Sequence, residues 1–227
     1  MARLGDVLEV MQASHPWATL QVSGVLWLNP HRQRAAREIA NPASKLTHAI
    51  GCDAAGGAET EEIRDRWSLW RSEPDQMRSE YQAGEVRVTA VWHGAAWWSW
   101  DPARGLLTND GDPNHQHGAG PGEVVIEPAQ FLPELDLTVN GTGTRAGRQA
   151  YELMGRPRTK SPGLPLFLLG SGADQYLLSV DAERGLLLRS EARLREEPIR
   201  VVEVEQVTFD AVLPGALFLP SLLPPPG

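Results

Sequence analysis

At the start of the chain Leu4, Val7, Leu8 and Met11 fall at positions i, i+3, i+4 and i+7. That spacing predicts an amphipathic helix over residues 3–15, ended by Pro16. The run ATLQVSGVLWL that follows has the β-branched and aromatic composition of a strand. Residues 31–50 read as helical but are interrupted by Pro42, and CDAAGGAETEE reads as a loop. From Arg64 onward the period changes to two. RDRWSLWRS, QMRSEYQ, EVRVTAVW and AAWWSWD are short runs separated by Glu-Pro-Asp, Ala-Gly and His-Gly turn signals. Val86, Val88, Ala90 and Trp92 alternate with Arg87, Thr89 and Val91, which gives one apolar face.

GDPNHQHGAGPG reads as a solvated connection and EPAQFLPEL as a short helix with Phe131, Leu132 and Leu135 on one side. The last third returns to strands: TVNGTGTRAGRQAYELMG, GLPLFLLG, DQYLLSVD, GLLLRSEARLR and EPIRVVEVEQVTFD succeed one another at hairpin spacing. Leu188, Ala192 and Leu194 face one way there, and Arg189, Glu191, Arg193 and Arg195 the other, as in an antiparallel sheet with one wetted face. SWDPARGLL (99–107) and SVDAERGLL (179–187) share Ser-x-Asp-x-x-Arg-Gly-Leu-Leu. In each, the Asp is placed to accept backbone N–H groups and open a tight turn. The Gly supplies the positive φ that re-enters a strand.

Composition narrows the function classes. The chain of 227 residues carries a formal charge of −8, without the clustered Lys and Arg that neutralising phosphates requires, so no nucleic-acid partner is expected. One cysteine, Cys52, excludes an internal disulfide, and no basic neighbour lies close enough in sequence to activate its thiol. Asp6 and Glu9 interrupt the N-terminal apolar stretch where a signal peptide would need continuity, and no run approaches a membrane span of ~20 apolar residues. The expected location is the cytoplasm. Neither a Gly-x-Ser-x-Gly elbow, nor His-Glu-x-x-His, nor a phosphate-cradling glycine loop is present, so no cofactor and no catalytic grouping is implied.

Taken together, EVRVTAVWHGAAWWSWDP, IEPAQFLPEL, AGRQAYELMGRP, YLLSVDAERGLLLRSEARLREEPIRVVEVEQVTFD and VLPGALFLPS resemble the LolA/LolB lipoprotein-carrier superfamily. That superfamily includes the RseB/MucB-type sigma regulators and mycobacterial lipid-binding lipoproteins. The likeness covers roughly residues 64–220 and, loosely, the first helix and strand. It implies a mainly β fold: a strongly curved antiparallel half-barrel of about ten strands wrapped around two or three helices. A single domain over 1–227 is expected, with a helical insertion at about 31–62 that has no counterpart in the superfamily. The first helix is expected to plug the concave side, since its stripe needs a sheet to cover it.

Four of the eight tryptophans lie within Ala90–Pro102. Alternation puts Trp98 and Trp100 on one strand face and Trp97 on the other. Two readings stand: cross-strand aromatic pairs that fill a core, or an aromatic wall exposed to a ligand. On the second reading Trp27, Trp67, Trp92, Trp98, Trp100, Phe131 and Phe167 line the concavity, and Tyr81 and Tyr176 add hydroxyls. In the loop with Asp110, Asp112, His115 and His117, the two imidazoles have no third ligand at a sensible spacing, and Asp110 does not begin a calcium loop, so the segment reads as a flap over the barrel mouth. The resemblance and the aromatic content favour non-enzymatic binding of an apolar small molecule or a hydrophobic peptide in the concavity. Two alternatives remain: a regulatory module with a protein partner, and a small cofactor-free enzyme that uses the cavity as a reaction chamber.

Overall fold

A computed structural model describes residues 3–13, 17–40, 62–109, 120–159 and 164–219. The strands are β1 (Thr19–Leu28), β2 (Ile63–Ser72), β3 (Gln76–Ala83), β4 (Val86–His93), β5 (Ala96–Asp101), β6 (Gly105–Thr108), β7 (Leu135–Arg145), β8 (Arg148–Pro157), β9 (Gln175–Asp181), β10 (Leu187–Leu194) and β11 (Glu197–Phe209). Helices are α1 (Leu4–Gln12), α2 (Pro30–Ala40), α3 (Pro121–Ile126) and α4 (Leu164–Gly170), with 3-10 turns at Pro128–Glu134 and Gly215–Phe218. All strands belong to one antiparallel sheet in the order β6-β5-β4-β3-β2-β1-β11-β10-β9-β8-β7. The sheet is curved and unclosed, with helices against one face, as the resemblance implies.

The order describes two meanders joined along β1 and β11. The chain walks outward from β1 to the edge at β6, reappears at the far edge as β7, and walks back to β11. A connection from one edge to the other must cross a face of the sheet. α3 lies in that connection and packs on β1, β2 and β10, across the seam between the two halves. The central plug is therefore α3. α1 contributes Val7 and Met11 to a neighbouring core cluster with Phe131, Leu135 and Leu153, but it packs on β7 and the first 3-10 turn. Leu4, the first residue of its stripe, stays 37% exposed.

α3 can approach the sheet because two glycines leave room for one indole. A Cβ on Gly24 would sit 2.8 Å from the Trp67 ring and 1.9 Å from the Glu203 carbonyl oxygen. A Cβ on Gly122 would sit 3.4 Å from the same ring and 3.0 Å from Leu69. Gly24 is also where the β1–β11 register shifts, so the bulge and the close approach share a residue. Around this stack a second cluster buries Leu20, Val22, Leu26, Leu69, Val125, Ile126, Val202 and Val204.

The repeated Asp turns form as their sequence implies. The Ala103 N–H donates to Asp101 Oδ1 at 2.8 Å, and the Glu183 and Arg184 N–H groups donate to Asp181 Oδ1 at 2.9 and 2.8 Å. Gly105 and Gly185 follow with φ of 76° and 72°. Two expectations are corrected. GLPLFLLG was expected as a strand, but most of it forms α4, because a short apolar run carries no period that separates a strand from a buried helix. Its Leu166 and Leu169 are buried, and Gly170 ends it with φ 140° directly over Ala192. Pro121 and Gly122 end the expected loop and Glu123–Ile126 carry no predicted element, but together they form α3. The signal for it was present: Pro121 at the first helical position and Glu123 two residues on, whose carboxylate accepts the Gly120 N–H at 2.9 Å. The insertion expected at 31–62 begins with α2, and residues 41–61 lie outside the described residues.

Gly24→Ala should lower stability by ~1–3 kcal/mol through overpacking of Trp67 against β11. The check is the urea midpoint followed by tryptophan emission; an unchanged midpoint would contradict the glycine–indole stack.

Candidate ligand cleft on the helix-packed face

Register assigns each aromatic side chain to a face. Gly24, Trp67 and Tyr81 are aligned across β1, β2 and β3, and Arg71, Met77, Trp92 and Trp97 across β2 to β5. Since Trp67 meets α3, both rows belong to the inner, helix-packed face. Trp98 opposes Val91 and Trp100 opposes Thr89, on the outer face. Trp27 opposes Arg64, one residue out of step with Leu26 and Leu28 of the core, and its indole N–H donates to Glu62 at 3.0 Å on the outer side.

The aromatic set drawn from the sequence is thus divided among four settings. Trp67, Phe131 and Tyr176 are core residues, 2%, 1% and 0% exposed. Tyr81 is on the inner face, half-buried, and its hydroxyl donates to Asp65. Trp27, Trp98 and Trp100 stand on the outer face, away from the helices. Trp92 borders an opening on the inner face. The side chain of Phe167, together with Cys52, Asp110, Asp112, His115 and His117, lies outside the described residues.

That opening is a cleft of about 300 Å³ between the β2–β3 turn, the inner face of β3 and β4, and the helices. Met77, Trp92, Ile126 and Leu168 give it apolar walls; Arg71, Asp75, Gln76, Glu123, Glu127 and Gln130 supply polar groups. Its floor is set by the sheet register and its roof by α3, α4 and the first 3-10 turn. Arg71 is held from three sides. Its Nε lies 2.9 Å from Glu73, its Nη1 3.8 Å from Glu127, and its guanidinium stands over the Trp17 ring at 5.6 Å. Sequence reasoning missed Arg71, Met77, Glu123, Ile126 and Leu168. Aligning the β2–β3–β4 hairpins would have placed the first two beside Trp92, whereas the helical residues reach the cleft by tertiary packing alone.

Burial shifts two carboxyl groups upward. Glu123 accepts hydrogen bonds from the Gly120 N–H and the Ser79 hydroxyl, which partly offset its loss of water. Asp65, beside Tyr81, is raised for the same reason. On the outer face Glu191 moves the other way: burial would raise it, but its hydrogen bonds to Arg189 and Arg193 hold it below the ordinary range. Among the described residues no group of His, Cys, Asp and Glu side chains is arranged to hold a metal ion. No helix there is long and apolar enough to cross a membrane.

Solved structures share this architecture. MucB aligns at 14% identity and a TM-score of 0.54, over 95% of this chain and 62% of MucB. The MucA/MucB complex from Pseudomonas aeruginosa aligns at 14% identity and a TM-score of 0.50, over 95% and 59% of the two chains. An uncharacterised conserved protein from Thermus thermophilus aligns at 11% identity and a TM-score of 0.52, over 94% and 91%. The chain thus spans less than two thirds of MucB's length. No protein-family model matches the sequence, and no curated protein matches it. The chain has the LolA/LolB-like fold that its hairpins resemble, in the form also seen in MucB. At these identities the likeness carries architecture and not chemistry.

Glu123 gives the cleft a pH signature. Its folded pKa lies above the unfolded value near 4.5, so the native state binds this proton more tightly than the unfolded chain does. The group therefore costs nothing below the unfolded pKa, and its penalty is complete above the folded one. Glu123→Gln should raise the urea midpoint at neutral pH, and the gain should fade as the pH falls towards 4.5 and be gone below it. A gain that persists in acid would refute the assignment.

Proposed function

We propose that this protein is a non-enzymatic binding module that holds an apolar or amphipathic ligand in the cleft beside Trp92. The observation that supports this reading is the pairing of apolar walls, Met77, Trp92, Ile126 and Leu168, with a rim of fixed polar groups. Such a combination gives affinity through burial at ~25 cal/mol per Å² and orientation through the rim. The helices occupy the middle of the inner face, so the ligand enters at its mouth rather than lying along the concavity. A volume at the lower end of small-molecule sites admits one hydrocarbon chain, one ring system or one large side chain of a hydrophobic peptide. Arg71, already engaged by Glu73 and Glu127, is the group placed to receive a polar or anionic head.

A protein partner is the second reading. MucB is recorded in complex with MucA, and a hydrophobic peptide segment would fit the same cleft.

Titration with N-phenyl-1-naphthylamine separates the wall from the core. Trp92→Ala should weaken dye binding about tenfold while leaving the melting temperature within a few degrees. Trp98→Ala, on the outer face, should leave dye binding unchanged. Equal loss in both variants, or in neither, would remove the cleft as the site.

A further inference from the structure

We propose that β7 pairs edge to edge with β7 of a second copy of this chain, about a two-fold axis between Asn140 and Gly141. The strand is one edge of the sheet, with β8 as its neighbour on the inner side. It runs eleven residues, whereas the opposite edge, β6, runs four. Natural sheets protect long edges with charges, Lys or Pro. From Leu137 to Thr144 β7 carries none of these: LTVNGTGT is uncharged and free of proline.

The register follows from a bulge. β7 pairs with β8 from Leu135 to Val139, skips Asn140, and resumes at Gly141 opposite Glu152. The skip exchanges the faces. Asp136 and Thr138 oppose Arg156 and Met154 on the outer face, and beyond the bulge Gly141, Gly143 and Arg145 take that face. Leu137 and Val139 face inward before it, Thr142 and Thr144 after it. Without the extra residue Asp136 and Arg145, an odd number of positions apart, would point to opposite sides.

In an antiparallel pair, residues directly opposite share a face. With Asn140 opposite Gly141 of the second copy, Val139 meets Thr142 and Leu137 meets Thr144, all inward. Thr138 meets Gly143, and Asp136 meets Arg145, all outward. The bulge, which discourages pairing with an arbitrary strand, is what makes every face agree in this register. At both ends the charges also agree. Asp136 already lies 3.0 Å from Arg158, and Arg145 3.5 Å from Glu152. Pairing therefore sets Arg158, Asp136, Arg145 of the second copy and Glu152 of the second copy in alternating sign across the seam. Cross-strand opposite charges stabilise such pairs, and like charges oppose them.

An interface built on one edge strand is small, so the dimer should be weak and dependent on concentration. Sedimentation velocity from about 10 μM to 1 mM should show the wild-type chain moving from monomer to dimer. Asp136→Arg places like charges at both ends and should shift the midpoint about tenfold upward. Asp136→Arg combined with Arg145→Asp should restore it, although both intrachain pairs with Arg158 and Glu152 are then mismatched. Asn140→Lys, at a residue that has no partner on β8, should abolish the dimer without lowering the melting temperature, which keeps the test valid if the charge swap misfolds. A wild-type chain that stays monomeric throughout overturns the proposal. So does a folded double variant no better than the single one, or a dimer that survives Asn140→Lys. Dye binding at Trp92 is expected to be the same in monomer and dimer, so the cleft reading stands or falls separately.

Discussion

The Trp67 indole lies between Gly24 and Gly122, and the rest of the architecture depends on that stack. The chain makes its two meanders in sequence, and the connection between them runs from one edge of the sheet to the other. A crossing segment with nothing to hold it would be a long surface loop. Here α3, six residues long and far too short to be stable by itself, is fastened where β1 joins the two halves. The fastening works by absence: neither glycine has a Cβ, so one ring touches the sheet backbone beneath it and the helix backbone above. The bulge that leaves Glu205 of β11 unpaired lies opposite Gly24, and the Glu203 carbonyl occupies the same space, so seam, bulge and helix are packed as one unit.

The cleft is a consequence of that crossing. α3 places Glu123 and Ile126 over the ends of β3 and β4, and the following 3-10 turn adds Gln130. The walls of the cleft therefore belong to elements that are ordered by tertiary packing, and their geometry is coupled to the Trp67 stack about a turn of helix away. Glu123 shows the cost of this arrangement. It satisfies the first turn of α3 through the Gly120 N–H, yet it does so where water is scarce, and its proton affinity rises as a result.

The strands were legible because their signals are local. Alternation located β2 to β5, and a shared turn motif located two hairpins whose Asp and Gly residues behave alike. It also separated Trp98 and Trp100 from Trp97 correctly. What alternation cannot provide is which of two faces meets the helices, because both faces of a strand such as β4 carry apolar residues: Ala90 inward and Val91 outward are both buried. The site was therefore read with outer-face tryptophans in it. The helices were harder still. α3 is signalled by a Pro and a Glu within a glycine-rich stretch, and α4 by an apolar run without period; each is helical because of what it packs against.

The buried outer face explains why a tryptophan-rich hairpin can serve as a firm wall. The 3-10 turn Gly215–Phe218 packs across the outside of β3 and β4, with Phe218 1% exposed and Arg78 donating to the Leu217 carbonyl at 3.3 Å. Arg78 also pairs with Glu80 at 2.7 Å, and Glu80 receives Arg87 from the neighbouring strand. Thr89 and Val91 are buried on that side of the sheet. β3 and β4 are thus gripped from behind by the chain's C-terminal segment while their inner side chains, Met77 and Trp92, face the cleft. Rigid backing of this kind lets an apolar wall stay open instead of collapsing onto its own helices, since a side chain fixed in a well-packed sheet has little freedom to fill the gap.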